Sequence, residues 1–102
     1  MEKMTINGKE YTVQKLNVKA SAFTGRQRTY IGTWATVNKT IAVDPKVIPL
    51  GSKVYIPQFG IVFTAEDTGS AIKGNKIDIF MKNYNTCIQW GIRDIEIYLI
   101  KG

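Results

Sequence analysis

Ala65-Glu-Asp-Thr-Gly-Ser-Ala-Ile-Lys-Gly-Asn-Lys-Ile-Asp-Ile-Phe80 predicts the end of one strand, two turns and a second strand, with an aspartate at the end of the first and another inside the second. The first strand is the apolar run Ile61-Val-Phe-Thr-Ala65, which carries Asp67 out at its C-terminal end. Thr68, Gly69 and Ser70 break it, and Lys73 precedes a second turn at Gly74-Asn75. From Lys76 the chain is extended again, with Ile77, Ile79 and Met81 alternating with Asp78 and Phe80. A carboxylate in such a strand either points to solvent or is held in a cleft. In the second case partly apolar surroundings raise its pKa, as a general acid requires. Alternation turns Glu66 away from Asp67 and toward solvent.

Outward from this stretch the signals are those of short strands. Met4-Thr-Ile6 and Lys9-Glu-Tyr-Thr-Val13 flank Asn7-Gly8, the dipeptide of a type I′ hairpin turn. Residues 1–15 are therefore expected to be an appended hairpin and residues 16–102 the main domain. Leu16, Val18, Ala20 and Ala22 alternate with polar residues, giving a strand with one buried face. From Thr24 to Asn38 the periodicity fades into a loop or irregular strands carrying Tyr30 and Trp34. Thr40–Val43 is a short strand stopped by Asp44-Pro45, and Lys53–Ile56 is one stopped by Pro57. Asn83 can cap a short helix through Gln89 that Gly91 ends, with Trp90 beside it as core. Asp94–Ile100 closes the chain as a strand with Ile95, Ile97 and Leu99 on one face. About six strands and one small helix make this an all-β chain, a closed or nearly closed barrel.

Composition removes several chemistries. The 102 residues suffice for one domain with a modest core. There is no histidine and a single cysteine, so Ser-His-Asp and Cys-His sites and histidine zinc sites are excluded. Cys87 reads as a buried structural thiol. The net charge of +6 suits nucleic acid, an anionic cell wall, or simple solubility. Its basic residues are scattered, densest at Gly25-Arg-Gln-Arg28, without a familiar nucleic-acid motif, so no nucleic-acid partner is expected. No apolar stretch is long enough to insert into a membrane, and Met1-Glu-Lys-Met-Thr-Ile6 lacks a signal-peptide core. The expectation is a domain of a larger exported protein or a phage-type enzyme.

Two blocks together carry a resemblance. Ala65-Glu-Asp-Thr-Gly69, Ala71-Ile-Lys-Gly74 and Ile77-Asp78, preceded by Ile41-Ala-Val-Asp-Pro-Lys-Val-Ile-Pro-Leu-Gly51, resemble the 3D domain, named for three aspartates. Asp44, Asp67 and Asp78 match the three, and the similarity runs from about Val18 to Ile100. The family is related to membrane-bound lytic murein transglycosylase A and to small spore-former wall lytic enzymes. The resemblance implies a six-stranded double-psi β-barrel acting at the cell wall on peptidoglycan glycan strands. The implied reaction cleaves the MurNAc–GlcNAc β-1,4 bond and leaves a 1,6-anhydro product.

By the same resemblance Asp78 is the acid and then the base, Asp67 the carboxylate that tunes it, and Asp44 the third member. Asp44 also has a structural reading, because Asp-Pro at a strand end commonly starts a turn. Thr68 and Gly69 can offer a hydroxyl and an approachable amide to the substrate, or simply make a turn. Lys73 can meet a glycan oxygen or a peptide carboxylate, or neutralise the acids. Tyr30 and Trp34 can stack on a sugar ring, or belong to the core. No cofactor is implied and no metal is expected to be required, since the acids lack the Asp-x-Asp-x-Asp spacing of a calcium loop. The alternative is a barrel that binds wall glycan without turning it over.

Overall fold

Between Lys9 and Phe23 the sequence contains neither glycine nor proline, so nothing interrupts an extended chain. In the computed structural model, which describes Met1–Gly102, those residues form one strand, β2 (Lys9–Phe23), entered from β1 (Glu2–Ile6). Asn7 and Gly8 supply the turn with φ of 51° and 81°, the two positive values that type I′ needs. The hairpin is thus formed, but its second strand and the strand expected from Leu16 are a single element. The division at residues 15 and 16 falls inside β2.

The buried positions change parity along β2, which is why its pattern resembles two strands. Val13 is buried on one face of β2, whereas Val18 and Ala20 are buried on the other. Pairing with β7 (Arg93–Ile100) nevertheless runs unbroken from Val13↔Ile100 to Ala20↔Arg93. Val18 and Ala20 belong to the main core, while Val13 and Ile6 are buried outside it, beneath the hairpin.

The remaining strands are β3 (Thr40–Val43), β4 (Lys53–Ile56), β5 (Ile61–Asp67) and β6 (Lys76–Phe80). They pair in the order β2-β6-β3-β5-β4-β7, and β7 returns to β2 to close the ring. The result is a closed six-stranded barrel with β1 as an extra strand, in agreement with the architecture implied by the resemblance. Closure leaves no free edge in the barrel itself. Pairs β2–β6 and β3–β5 are parallel and the others antiparallel. Ile41, Val43, Ile56, Phe63, Ile77, Ile79 and Ile97 fill the interior, and Ile95, Ile97 and Leu99 share the inward face of β7.

The helix α1 (Tyr84–Trp90) begins and ends where its caps direct. The Asn83 side chain accepts from Thr86 N–H at 2.9 Å, and Gly91, with φ 66°, donates to the Cys87 carbonyl at 3.0 Å. Trp90 is its one buried residue; the indole donates to the Ala20 carbonyl at 3.0 Å and stacks on Phe59 at 5.2 Å. Cys87 is half-buried against the core, and desolvation pushes its thiol pKa up. No helix is long and apolar enough to cross a membrane.

Candidate active site

Strand register assembles the site. Ser21 on β2 pairs with Asp78 on β6, Asp78 pairs with Ala42 on β3, and Ala42 pairs with Asp67 on β5. Residues directly opposite one another across neighbouring strands share a face, so Ser21, Asp78, Ala42 and Asp67 form one transverse row. Asp78 and Asp67 stand two strand spacings apart, about 10 Å at the backbone. Between them lies only the methyl group of Ala42. The row opens into a polar cavity of about 340 Å³, within the range of small-molecule sites. Both acids line it with Phe23, Thr24, Gln27, Thr68, Gly69 and Ile72.

The two acids are held differently. Asp67 Oδ1 accepts from the backbone N–H groups of Tyr30 and Thr68, each at 3.0 Å. Asp78 Oδ1 accepts only from the Ser21 hydroxyl, at 3.1 Å. In both residues Oδ2 receives no protein donor. Burial raises the Asp78 pKa, and the charge of Asp67 adds to it; the Ser21 hydrogen bond and Lys76 oppose the rise without reversing it. Asp78 is thus a partly desolvated carboxyl whose pKa is raised from the ordinary aspartate value.

Asp44 does not join this row. Its Oδ1 accepts from Lys46 N–H at 3.0 Å and its Oδ2 from Gly74 N–H at 2.8 Å. These two amides, aided by Lys73 and Lys46, lower its pKa against a smaller opposing effect of burial. Asp44 is therefore satisfied on both oxygens, and it ties the turn after β3 to the turn before β6. Lys73 is exposed and acts on Asp44 rather than lining the cavity.

Glu66 corrects the alternation expected from the sequence. Ile41 pairs with Ala65 but Ala42 pairs with Asp67, so Glu66 has no partner on β3 and β5 bulges there. The extra residue turns the side chain inward, where Glu66 is 2% exposed instead of facing solvent. Its Oε1 accepts from the Thr40 hydroxyl at 2.6 Å and its Oε2 faces Lys39 Nζ at 3.2 Å. Thr40 Oγ1 in turn accepts from Thr36 N–H at 2.9 Å, and the Glu66 carbonyl accepts from Ile31 N–H at 3.2 Å. Glu66 and Asp67 together anchor the segment between β2 and β3.

That segment contains a small antiparallel bridge between Arg28 and Trp34. Tyr30 and Trp34 are exposed, and neither side chain is in the core or on the acid-lined cavity. Sequence reasoning missed Ser21, Ala42, Thr24 and Gln27. Their only signal was the run of small residues Ala20-Ser-Ala22, which leaves room above a strand without indicating what fills it. No group of three or more cysteine, aspartate or glutamate side chains is placed to hold a metal ion.

The closed barrel resembles part of the fold of the lytic transglycosylase MltA. A crystal structure of MltA from Escherichia coli superposes with a TM-score of 0.60 at 18% identity, over 76% of this chain and 28% of that one. A second crystal structure of the same enzyme gives 0.58 at 19% identity over the same shares. Similarity at this identity defines the fold. The sequence itself matches the 3D domain over residues 39–101, and the chain belongs to that family. Cell wall-binding protein YocH of Bacillus subtilis strain 168 is 43% identical over 95 residues, 85% of this chain and 33% of the relative. The putative cell wall shaping protein YabE of the same organism is 41% identical over 98 residues, covering 95% of this chain and 23% of the relative. The chain thus spans a third or less of the length of these relatives.

Proposed function

We propose that this barrel is a peptidoglycan lytic transglycosylase domain that acts at the bacterial cell wall. One observation carries the reading: Asp78 is a desolvated carboxyl with a raised pKa, one small residue away from Asp67 in an open polar cavity. Binding alone requires no proton-holding acid, whereas glycosidic cleavage requires one beside the leaving oxygen. Asp78 in its acid form donates its proton to the glycosidic oxygen as the bond to C1 of the muramic residue breaks. The resulting carboxylate takes the proton of the C6 hydroxyl on the same sugar, whose oxygen closes on C1. The products are a free GlcNAc hydroxyl and a 1,6-anhydro ring, and no water is consumed. The nucleophile is already tethered, so no second carboxylate has to activate water.

Asp67, fixed by two amides, supports the positive charge that develops at C1. Thr68 and Gly69 line the same cavity and offer polar contacts to the sugar. Mass analysis of peptidoglycan digested by the protein tests the reading. Anhydro-muropeptides are the expected product, and new reducing ends would make the protein a hydrolase.

The second reading is a wall-binding module on the same barrel, favoured by the name of the relative that is 43% identical. Unchanged glycan that nevertheless retains the protein would establish it.

A further inference from the structure

Arg26 and Arg28 lie over the Trp34 ring, their guanidinium carbons 4.6 and 4.4 Å from its centroid. The indole surface expected to receive a sugar therefore already carries two cations. Arg28 is fixed further by a 2.8 Å hydrogen bond from Nη1 to the Gly32 carbonyl. Neither arginine has an acidic partner, since the ion pairs of the protein are Lys15–Glu96, Lys19–Asp94 and Lys39–Glu66. Gln27, between them in sequence, lines the acid cavity, so the backbone that carries the two arginines borders it. Arg26, Trp34 and Ala35 bound a separate shallow cavity of about 330 Å³.

We propose that Arg26 and Arg28, held in place by Trp34, form a subsite for the carboxylates of the peptides that branch from the glycan strand. The proposal rests on the reading that the acid cavity takes peptidoglycan glycan. A glycan lying in that cavity projects its peptide branches past the segment that carries the two arginines. The planar guanidinium fork matches a carboxylate in two parallel hydrogen bonds, and stacking on an indole fixes the fork before the ligand arrives. Two isolated positive charges suit the sparse carboxylates of a peptide branch better than a dense phosphodiester polymer, which calls for an extended basic track.

Binding of the whole protein to three preparations tests this: peptidoglycan stripped of phosphodiester polymers, the same material with its peptide carboxylates amidated, and bare glycan freed of peptides. The native protein should bind the first about 2- to 30-fold tighter than the second, the range for two exposed ion pairs. Replacing both arginines by glutamine (R26Q with R28Q) should abolish that preference while leaving affinity for bare glycan at the native level, which also shows that the variant is folded. The double lysine variant (R26K with R28K), with charge but no fork, should keep part of the preference. Equal binding of the first two preparations by the native protein, with bare glycan still bound, would overturn the subsite and leave the glycan reading standing. The same holds if the glutamine variant keeps the preference. Failure to bind any preparation would instead remove the glycan reading and the subsite with it. Binding lost when phosphodiester polymers are stripped would assign the arginines to phosphate and overturn the proposal.

Discussion

Asp44 lies two residues beyond Ala42, and Ala42 is the cross-strand partner of Asp78, yet their surroundings shift the two pKa values in opposite directions. At Asp44 the backbone supplies one amide to each oxygen, so the charged form is held firmly and the residue works as a clasp between two turns. At Asp78 a single hydroxyl meets one oxygen and burial dominates, which shifts the balance toward the neutral form. What separates these two acids is that backbone amides reach both oxygens of Asp44 and neither oxygen of Asp78. Proximity in the fold does not decide it.

The largest expected effect tests that contrast at its reactive end. Asp78→Asn keeps the shape and removes the transferable proton, so turnover of peptidoglycan should fall by about 10²–10⁴-fold while glycan binding persists. The same substitution should not destabilise the fold at neutral pH. Because the folded pKa is raised, the native state binds the Asp78 proton more tightly than the unfolded chain does. The contribution of Asp78 to stability is therefore fully present below about pH 3.9 and is lost as pH rises through the raised folded value. The melting temperature of Asp78→Asn relative to the native protein should accordingly climb across that window and then level off. A native rate for the folded variant would break the assignment.

Next in size is Glu66→Ala. It removes two charge-assisted partners from a site only 2% exposed and leaves Thr40 without its acceptor, at a cost of about 2–3 kcal/mol in denaturant unfolding. Because the Glu66 side chain, through Thr40, holds Thr36 in the segment whose Tyr30 amide meets Asp67, activity of the remaining folded protein should fall as well. Unchanged stability would mean that the bulge is incidental.

Asp44→Asn should give a smaller loss, in stability rather than in the rate per folded molecule. With its folded pKa lowered, the contribution of Asp44 is complete above about pH 3.9 and disappears as pH falls through the lowered value. Melting curves of native and variant proteins should therefore converge at acid pH. A fully stable but inactive variant would return Asp44 to the catalytic group and dissolve the contrast drawn above.

The smallest effect is expected at Gly69, whose φ is not in the left-handed region and where an added Cβ would sit an unstrained 3.6 Å from Ile72. Gly69→Ala should fold with native stability or gain about 0.4–1 kcal/mol through the less flexible unfolded chain. Any rise in KM measured for it would then report a narrowed cavity and nothing else.

Apart from the continuity of β2, the sequence by itself determined the elements and their punctuation. Asn7-Gly8, Asn83, Gly91, Pro57 and the face of Ile95, Ile97 and Leu99 act through neighbours a few residues away, and each appears where local chemistry puts it. The two blocks that resemble the 3D domain also pointed to Asp67 and Asp78, which do share a cavity. Only the tertiary structure decided the rest. Ser21 meets Asp78 across 57 residues because barrel closure sets the register of β2 on β6, and no local periodicity encodes such a register. A single extra residue in β5 reverses Glu66 while leaving Asp67 in the row, which strict alternation cannot foresee. Asp44 is drawn off by the amide of Gly74, thirty residues away, and a residue's own flanks do not reveal a donor that arrives from a distant turn.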